Sequence, residues 1–544
     1  MSSTTPEMAD RSYDEKAPAV EDRPVGPAQT THVVALKGLY EDGVIDAAYQ
    51  RKAQILNQAI QEIGMGKYQY LLFVTAGFGW FADSVWPLLT GLILTPVSNE
   101  FQFTPSYLTL AANIGLLVGA VFWGFGCDVF GSRWAFNLTL LITGVFGLAA
   151  GGSNNFVTLA SLLAVVGVGA GGNMPVDSAL FLDLVPGTHQ YLLTVMSVFW
   201  SIGQLFASMI AWPLIANFSC DATSSTSDAA ATCTRSANMG WRYLLFTLGG
   251  TTLALWAVRF FAFRIFESPR YLVGKGRDAE AVAVIEKLAR YNGKEAALTV
   301  EGLQAGSSVK GDDVEGSLED GEKTAPGTNT HVLSETSVFR MQHMRGLFAT
   351  PKIALSTSLL VVLWGLIGLA STLYNSFLPF ILQNRGNVYG DGSLYTTYRN
   401  NAILSVIGIP GAFLAGWLVE LPYVGRKGTL ALFSWLTGAF LLGSTTARSS
   451  RQLLGWNCGY TFSSNIMYGV LYAISPEIFP AKDRGTGNAL VSTTTRVFGV
   501  IAPVIALFAD ITTAVPVYVS GGIIIVCGGI TLLLPYEPRG RASI

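Results

Sequence analysis

Long apolar stretches, each closed by a short polar interruption, run along most of the chain. They fall at approximately 69–95, 105–127, 133–152, 156–185, 190–216 and 241–266. After a hydrophilic stretch they resume near 350–383, 395–421, 427–447, 451–479, 485–511 and 513–536. A helix crossing the roughly 30 Å hydrocarbon layer needs about 20 such residues, so each run predicts one membrane span. Residues 1 to about 35 are polar and Pro-rich, which predicts a disordered tail without a cleavable signal peptide. Residues 44–64 carry spaced apolar positions and suit a short amphipathic helix lying on the membrane surface. The stretch 267–349 contains one predicted helix, Arg277 to Leu298, and a Gly/Ser/Asp/Glu-rich part, Gln304 to Ser337, expected to be disordered.

Six runs, a hydrophilic segment and six more suggest an internal duplication, and matching punctuation supports it. After the second run stands GFGCDVFGSR (124–133), and after the eighth GWLVELPYVGRK (416–427). The fourth run ends in DLVP (183–186) and the tenth in EIFP (477–480). The sixth is followed by ESPR (267–270) and the twelfth by EPRG (537–540). The expected architecture is an all-α membrane protein with 12 transmembrane helices in two pseudo-symmetric six-helix bundles. Its divisions are a tail with the amphipathic helix (1–66), a first bundle (67–266), a central loop (267–349), a second bundle (350–536) and a short tail (537–544). Lys52, Lys67, Arg264, Arg270, Lys275, Arg277, Arg345, Lys352, Arg539 and Arg541 flank the spans on one side. They favour cytoplasmic termini and a cytoplasmic central loop, in a chain expected at the plasma membrane.

Composition narrows the function. Half of the 544 residues are hydrophobic, 13% are charged, and the mean hydropathy is +0.43, so the lipid bilayer is the expected solvent for most of the chain. A formal charge of −2 offers no footprint for nucleic acid. His32, His189, His331 and His343 lie outside the apolar runs, with no paired Cys/His spacing, so no metal site is expected. No nucleophile–base–orienter spacing is visible in the polar segments, which argues against an enzyme, and no cofactor is implied. Cys220 and Cys233 share one polar loop and can pair if that loop is extracellular. Asn217-Phe-Ser219 at the start of the same loop is a glycosylation sequon that agrees with this location.

The segment 124–133 joins two helices through a glycine-rich turn with an acid and a basic residue. Here the chain resembles the major facilitator superfamily, whose loop between spans two and three carries G-x3-D-x2-G-R-[KR]. The resemblance covers essentially all twelve spans. Two departures stand out: Ser132 replaces the first basic residue, and the second copy has two extra residues between Glu420 and Gly425. The strings IGMGKYQ (63–69), GAGGNMPV (169–176), FWSIG (199–203), ESPR (267–270) and SPEIFPAKDRGTG (475–487) are similar to one branch of the superfamily. That branch holds synaptic-vesicle-glycoprotein-like transporters, organic ion transporters, and aromatic-acid and nicotinate proton symporters. The resemblance implies alternating access by a chain acting as a monomer. It also implies that Asp128, Arg133, Asp183, Glu267, Arg270, Glu420, Arg426, Glu477 and Arg484 form charge networks at the cytoplasmic span ends that serve as gates.

An ionisable group at mid-membrane costs about 3 kcal/mol on insertion scales, so each one needs a reason. Asp83, Asp177 and Arg496 stand deep in spans one, four and eleven. Arginine at the position of Arg496 resembles the anion carriers of the branch. A guanidinium keeps its charge when buried and grips a carboxylate with two hydrogen bonds. The expectation is an organic anion bound at Arg496 and a proton at Asp83; alternatively Arg496 only neutralises Asp83 or Asp177. Asn173, Gln204, Tyr374 and Asn375 are candidate pocket residues, as are aromatic side chains at similar depth such as Trp80, Trp200, Trp364, Tyr468 and Tyr472. Competing readings are a sugar or polyol carrier, a metabolite exporter, and a non-transporting receptor or scaffold.

Overall fold

The computed structural model describes residues 47–189, 192–220, 233–308, 346–390, 392–418, 425–479, 484–508 and 513–535. The predicted disordered N-terminal tail and nearly all of the Gln304 to Ser337 stretch lie outside these residues. Helix α1, Ala47–Ile63, precedes six helices of the first bundle: α2 (Lys67–Phe101), α3 (Ser106–Phe130), α4 (Ser132–Ala150), α5 (Phe156–Leu184), α6 (Ser197–Phe218) and α7 (Gly240–Ala257). The central segment folds as α8 (Pro269–Gly274), α9 (Asp278–Tyr291) and α10 (Val300–Ser308). The second bundle holds α11 (Pro351–Asn375), its continuation α12 (Leu378–Val388), α13 (Leu394–Leu418), α14 (Gly425–Ser444), α15 (Ser450–Ile478), α16 (Arg484–Phe508) and α17 (Val515–Leu532). Ten of these helices are long and apolar enough to cross a membrane. The other two spans, α14 and α15, are of similar length, with Ser, Thr, Asn and Gly interspersed among their apolar residues.

The two halves pack alike. In the first bundle α2 crosses α6, α3 crosses α5 and α4 crosses α7. In the second α11 crosses α16, α13 crosses α15 and α14 crosses α17. The bundles meet through α6 with α13 and, reciprocally, α16 with α3, which is the exchange a two-fold relation requires. Close approach depends on missing side chains. A Cβ on Gly115 of α3 would strike the Ala164 carbonyl of α5, and one on Gly411 of α13 would lie 2.8 Å from the Phe462 carbonyl of α15. Even the caps correspond. Asn155 accepts from the Thr158 amide (2.8 Å) to start α5, and Ser449 accepts from the Gln452 amide (3.3 Å) to start α15.

Two sequence expectations need correction. Helix α1 does not lay its apolar face on lipid: Leu56, Ile60 and Ile63 are buried, and the helix packs on α8, α9 and α10. Lys52 pairs with Asp278 at 2.6 Å, and Lys294 Nζ donates to the Ile63 carbonyl at 2.5 Å. An amphipathic pattern specifies an apolar partner, and here protein supplies it. The predicted helix from Arg277 to Leu298 is shorter. Helix α9 ends at Tyr291 because Gly293 adopts φ +71°, and short helices flank it on both sides.

Candidate functional site

Helix α2 belongs to the first bundle, and Asp83 stands near its middle. Both oxygens of Asp83 accept from Arg496 Nη2 of α16, at 2.8 and 2.9 Å. The two residues are 413 positions apart, one in each bundle, and the carboxylate is only 2% exposed against 16% for the guanidinium. The pair is therefore a polar joint between the bundles at mid-depth.

Aromatic rings from both bundles collect beside it. The Tyr472 ring of α15 lies 5.4 Å from Trp80 of α2, 5.7 Å from Trp200 of α6 and 4.7 Å, edge-on, from Trp364 of α11. Tyr468, one turn earlier on α15, contacts Trp200 at 5.8 Å. The Tyr472 hydroxyl donates to Met174 Sδ at 3.3 Å. Trp364 Nε1 donates to Ser475 Oγ at 2.8 Å. Neither Trp80 Nε1 nor either polar atom of Asn173 has a hydrogen-bond partner among the described residues, although all three are buried. Buried polar groups without partners are rare enough to suggest donors and acceptors kept for something else.

Asp177 lies one turn beyond Asn173 on α5 and does not bond Arg496. Its Oδ1 accepts from Arg259 Nη2 at 2.5 Å, and both side chains are fully enclosed. Arg259 occupies a π-helical turn, Val258–Ala262, at the end of α7, with its guanidinium 3.0 Å from the Phe136 ring centre. Sequence reasoning passed over Arg259, although an arginine inside the sixth apolar run was a signal of the same kind as Asp83. It also passed over Glu100, which accepts from Arg242 (2.6 and 2.9 Å), Trp241 (2.9 Å) and Asn238 (3.0 Å) and ties the end of α2 to the start of α7.

The remaining candidates disperse. Tyr374 and Asn375 end α11, ten residues beyond Trp364, or about 15 Å along the helix. They form their own polar group, Tyr374 donating to Asn457 (2.5 Å) and Tyr460 to Asn375 (3.0 Å), away from Arg496. Gln204 is half-buried beside Gly203, whose missing side chain admits Phe81 and Ser84 of α2. At the end of the first bundle that carries α8, Glu267 accepts from the Ser132 amide (3.0 Å), the Ser132 hydroxyl (2.6 Å) and the Arg133 amide (3.3 Å). The serine that breaks the loop motif thus helps place a carboxylate on the N-terminus of α4. The Arg133 side chain is not the group that meets Glu267; its backbone amide is. Asp183 accepts from Ser268 Oγ (2.6 Å) and Arg270 (3.2 Å), and Arg270 also reaches Asn57 of α1 (2.7 Å). Arg426 is buried at the start of α14, and its neighbour Lys427 donates to the Leu534 carbonyl. Glu420 and the side chains of Asp128, Glu477 and Arg484 lie outside the described residues. At the opposite end Cys220 and Cys233 are joined, with Cα atoms 6.0 Å apart, and Asn217 is exposed on the last turn of α6.

Contacts between the bundles gather toward the disulfide end. Ser208 Oγ meets Ser405 Oγ at 2.8 Å and accepts from Asn401 at 3.1 Å, the Trp212 ring lies tilted 5.5 Å from that of Tyr395, and Tyr398 donates to the Leu92 carbonyl. Nearer the centre, Ser201 donates to Asn465 at 3.3 Å.

The sequence profile of the Major Facilitator Superfamily matches residues 70–422. The chain is 65% identical over 511 residues to an "MFS siderochrome iron transporter 1" of Ceriporiopsis subvermispora, covering 93% of this chain and 94% of that one. It is 38% identical over 527 residues to the "Major facilitator-type transporter hxnZ" of Emericella nidulans, covering 96% and 93%. In fold it is similar to the proton:xylose symporter XylE bound to 6-bromo-6-deoxy-D-glucose, at 15% identity and a TM-score of 0.63 over 88% of this chain and 98% of that one. Twelve spans in two like-packed bundles, a charged joint between them and the profile match agree: the chain belongs to the Major Facilitator Superfamily of membrane transporters, not to an enzyme family.

Proposed function

We propose that this transporter carries a small organic anion together with a proton by alternating access. The observation behind this reading is the Asp83–Arg496 joint, an acid and a cation held together by one guanidinium nitrogen between two bundles that must move relative to each other. A substrate carboxylate is a competitor for Arg496. When it binds, Asp83 loses its counter-charge in a site with little water, and proton uptake removes the isolated negative charge. The neutralised site no longer locks the bundles, and rocking carries both cargoes across. Trp80, Trp200, Trp364 and Tyr472 offer flat apolar surface for the body of the substrate, and Asn173 with Trp80 Nε1 offers unpaired hydrogen-bonding capacity for a second polar group. The gate networks around Glu267 and Asp183 are placed on the cytoplasmic side in this reading, and the Cys220–Cys233 loop outside.

Proteoliposome uptake tests the scheme. An imposed proton gradient, acid outside, is expected to drive accumulation of a monocarboxylate by the wild type, with Arg496→Gln raising KM at least 10-fold. Accumulation by Asp83→Asn at the wild-type level, with the same dependence on external pH, would rule out the proton site. A second reading follows from the 65% identical relative, whose name specifies siderochrome iron: the cargo is then a ferric chelate. Competition decides between them, since a ferric siderophore that displaces the monocarboxylate at lower concentration favours the chelate.

A further inference from the structure

The buried pair of Asp177 and Arg259 has no part in the scheme above, yet it stands next to Asp83. Gly79 and Asp83 are one turn apart on the same face of α2. Asp177 Oδ2 fills the space that a Cβ on Gly79 would take, one turn of α2 from Asp83. Two carboxylates thus flank one turn of α2, while one guanidinium, that of Arg496, arrives from the second bundle. Arg259 holds Asp177 at 2.5 Å, and its Nε and Nη1 have no hydrogen-bond partner among the described residues, so Asp177 and the Phe136 ring under the guanidinium together fix its position.

We propose that Arg259 is a positioning residue for the transport site: by neutralising Asp177 it leaves Asp83 as the carboxylate that Arg496 meets. A buried carboxylate without a counter-cation attracts the nearest guanidinium strongly in a low dielectric. Arg496, partly exposed and held through Nη2 on Asp83, one turn of α2 from the Gly79 gap that Asp177 fills, is the guanidinium the second bundle supplies on this side. Without Arg259, Arg496 is drawn to Asp177, inside the first bundle, and is withheld from Asp83 and from the anion that the proposed function places there. The inference rests on that reading for its meaning in transport, but its test needs no substrate.

The test is a double-mutant cycle on thermal unfolding of the full-length purified protein in lipid nanodiscs. Asp83→Asn strands Arg496 in the wild type and is expected to lower Tm markedly. In an Arg259→Gln background the loss is expected to be at most half as large, because Arg496 has Asp177 as an alternative partner. In Arg259→Lys, which keeps the charge, and in Asp177→Asn/Arg259→Gln, which removes both charges, the loss returns to the wild-type size. Equal losses in wild type and Arg259→Gln overturn the proposal. If Arg259→Gln does not fold, the neutral double variant still decides: a loss from Asp83→Asn there of half the wild-type size or less overturns it. Retained substrate affinity in Arg496→Gln would defeat the anion reading while leaving this cycle intact, so the two failures are separable.

Discussion

Asp83 and Arg496 each need the other in an environment that penalises isolated charge. Breaking a buried pair by removing one partner costs on the order of 3–5 kcal/mol, whereas removing both is far milder. Asp83→Asn and Arg496→Gln are therefore each expected to lower thermal stability clearly, and the double variant is expected to recover more than half of the loss, measured by unfolding in nanodiscs. Arg496→Lys keeps the charge but loses the planar fork, and is expected to bind the anion about 10-fold more weakly while keeping proton-dependent uptake. Glu267 shows how a sequence departure is absorbed. With Ser132 in place of a basic residue, the carboxylate settles on the amides that open α4. Ser132→Ala removes one of the four hydrogen bonds that Glu267 accepts and is expected to cost about 1 kcal/mol in thermal unfolding.

Helices in lipid associate through close packing more than through burial of apolar area, so backbone contact at glycine matters at the element scale. Gly115 touches the Ala164 carbonyl, whereas Gly416 near the end of α13 faces open space. Gly115→Ala is expected to separate α3 from α5 and reduce the yield of folded protein, while Gly416→Ala is expected to leave both yield and uptake within twofold of wild type. Size-exclusion profiles of the two variants check this contrast. The lengths and order of the spans were legible from the apolar runs, because a span must be continuous and local. The 350–383 run, read as one span, breaks at Ser376 and Phe377 between α11 and α12, and Pro379 stands in the first turn of the second helix. The fate of α1 was not legible, since a hydrophobic stripe does not say whether lipid or protein will cover it.

For the molecule as a whole, the packing toward the disulfide end defines one conformation of a cycle that needs at least two. Ser208 and Ser405 approach from opposite bundles at 2.8 Å. Replacing both by cysteine is expected to allow a disulfide that holds this end shut, abolishing uptake under oxidising conditions and restoring it on reduction. Uptake that continues with the cross-link formed would show that this end does not open during transport. Loss of the Cys220–Cys233 bridge acts differently. Its cross-linked positions are 13 apart, and closing a loop of about 15 residues contributes roughly 3 kcal/mol by constraining the unfolded chain. Cys220→Ser/Cys233→Ser is expected to unfold at lower temperature without a change in KM.

Much of this protein can be read without coordinates: its solvent, its number of spans, its duplication, and three residues whose charge is out of place in lipid. Those features follow from composition and short-range pattern, where each residue speaks for itself or for its near neighbours. Which charges meet is a different kind of information. Asp83 faces Arg496 at a separation of 413 positions, and Asp177 faces Arg259 instead, because the packing of whole helices brings the middle of α2 toward α16 and α5 toward the turn that ends α7. Pairing across such distances depends on the rotation and tilt of whole helices. No local periodicity encodes these, so the partner of each buried charge emerges only when the bundles are assembled.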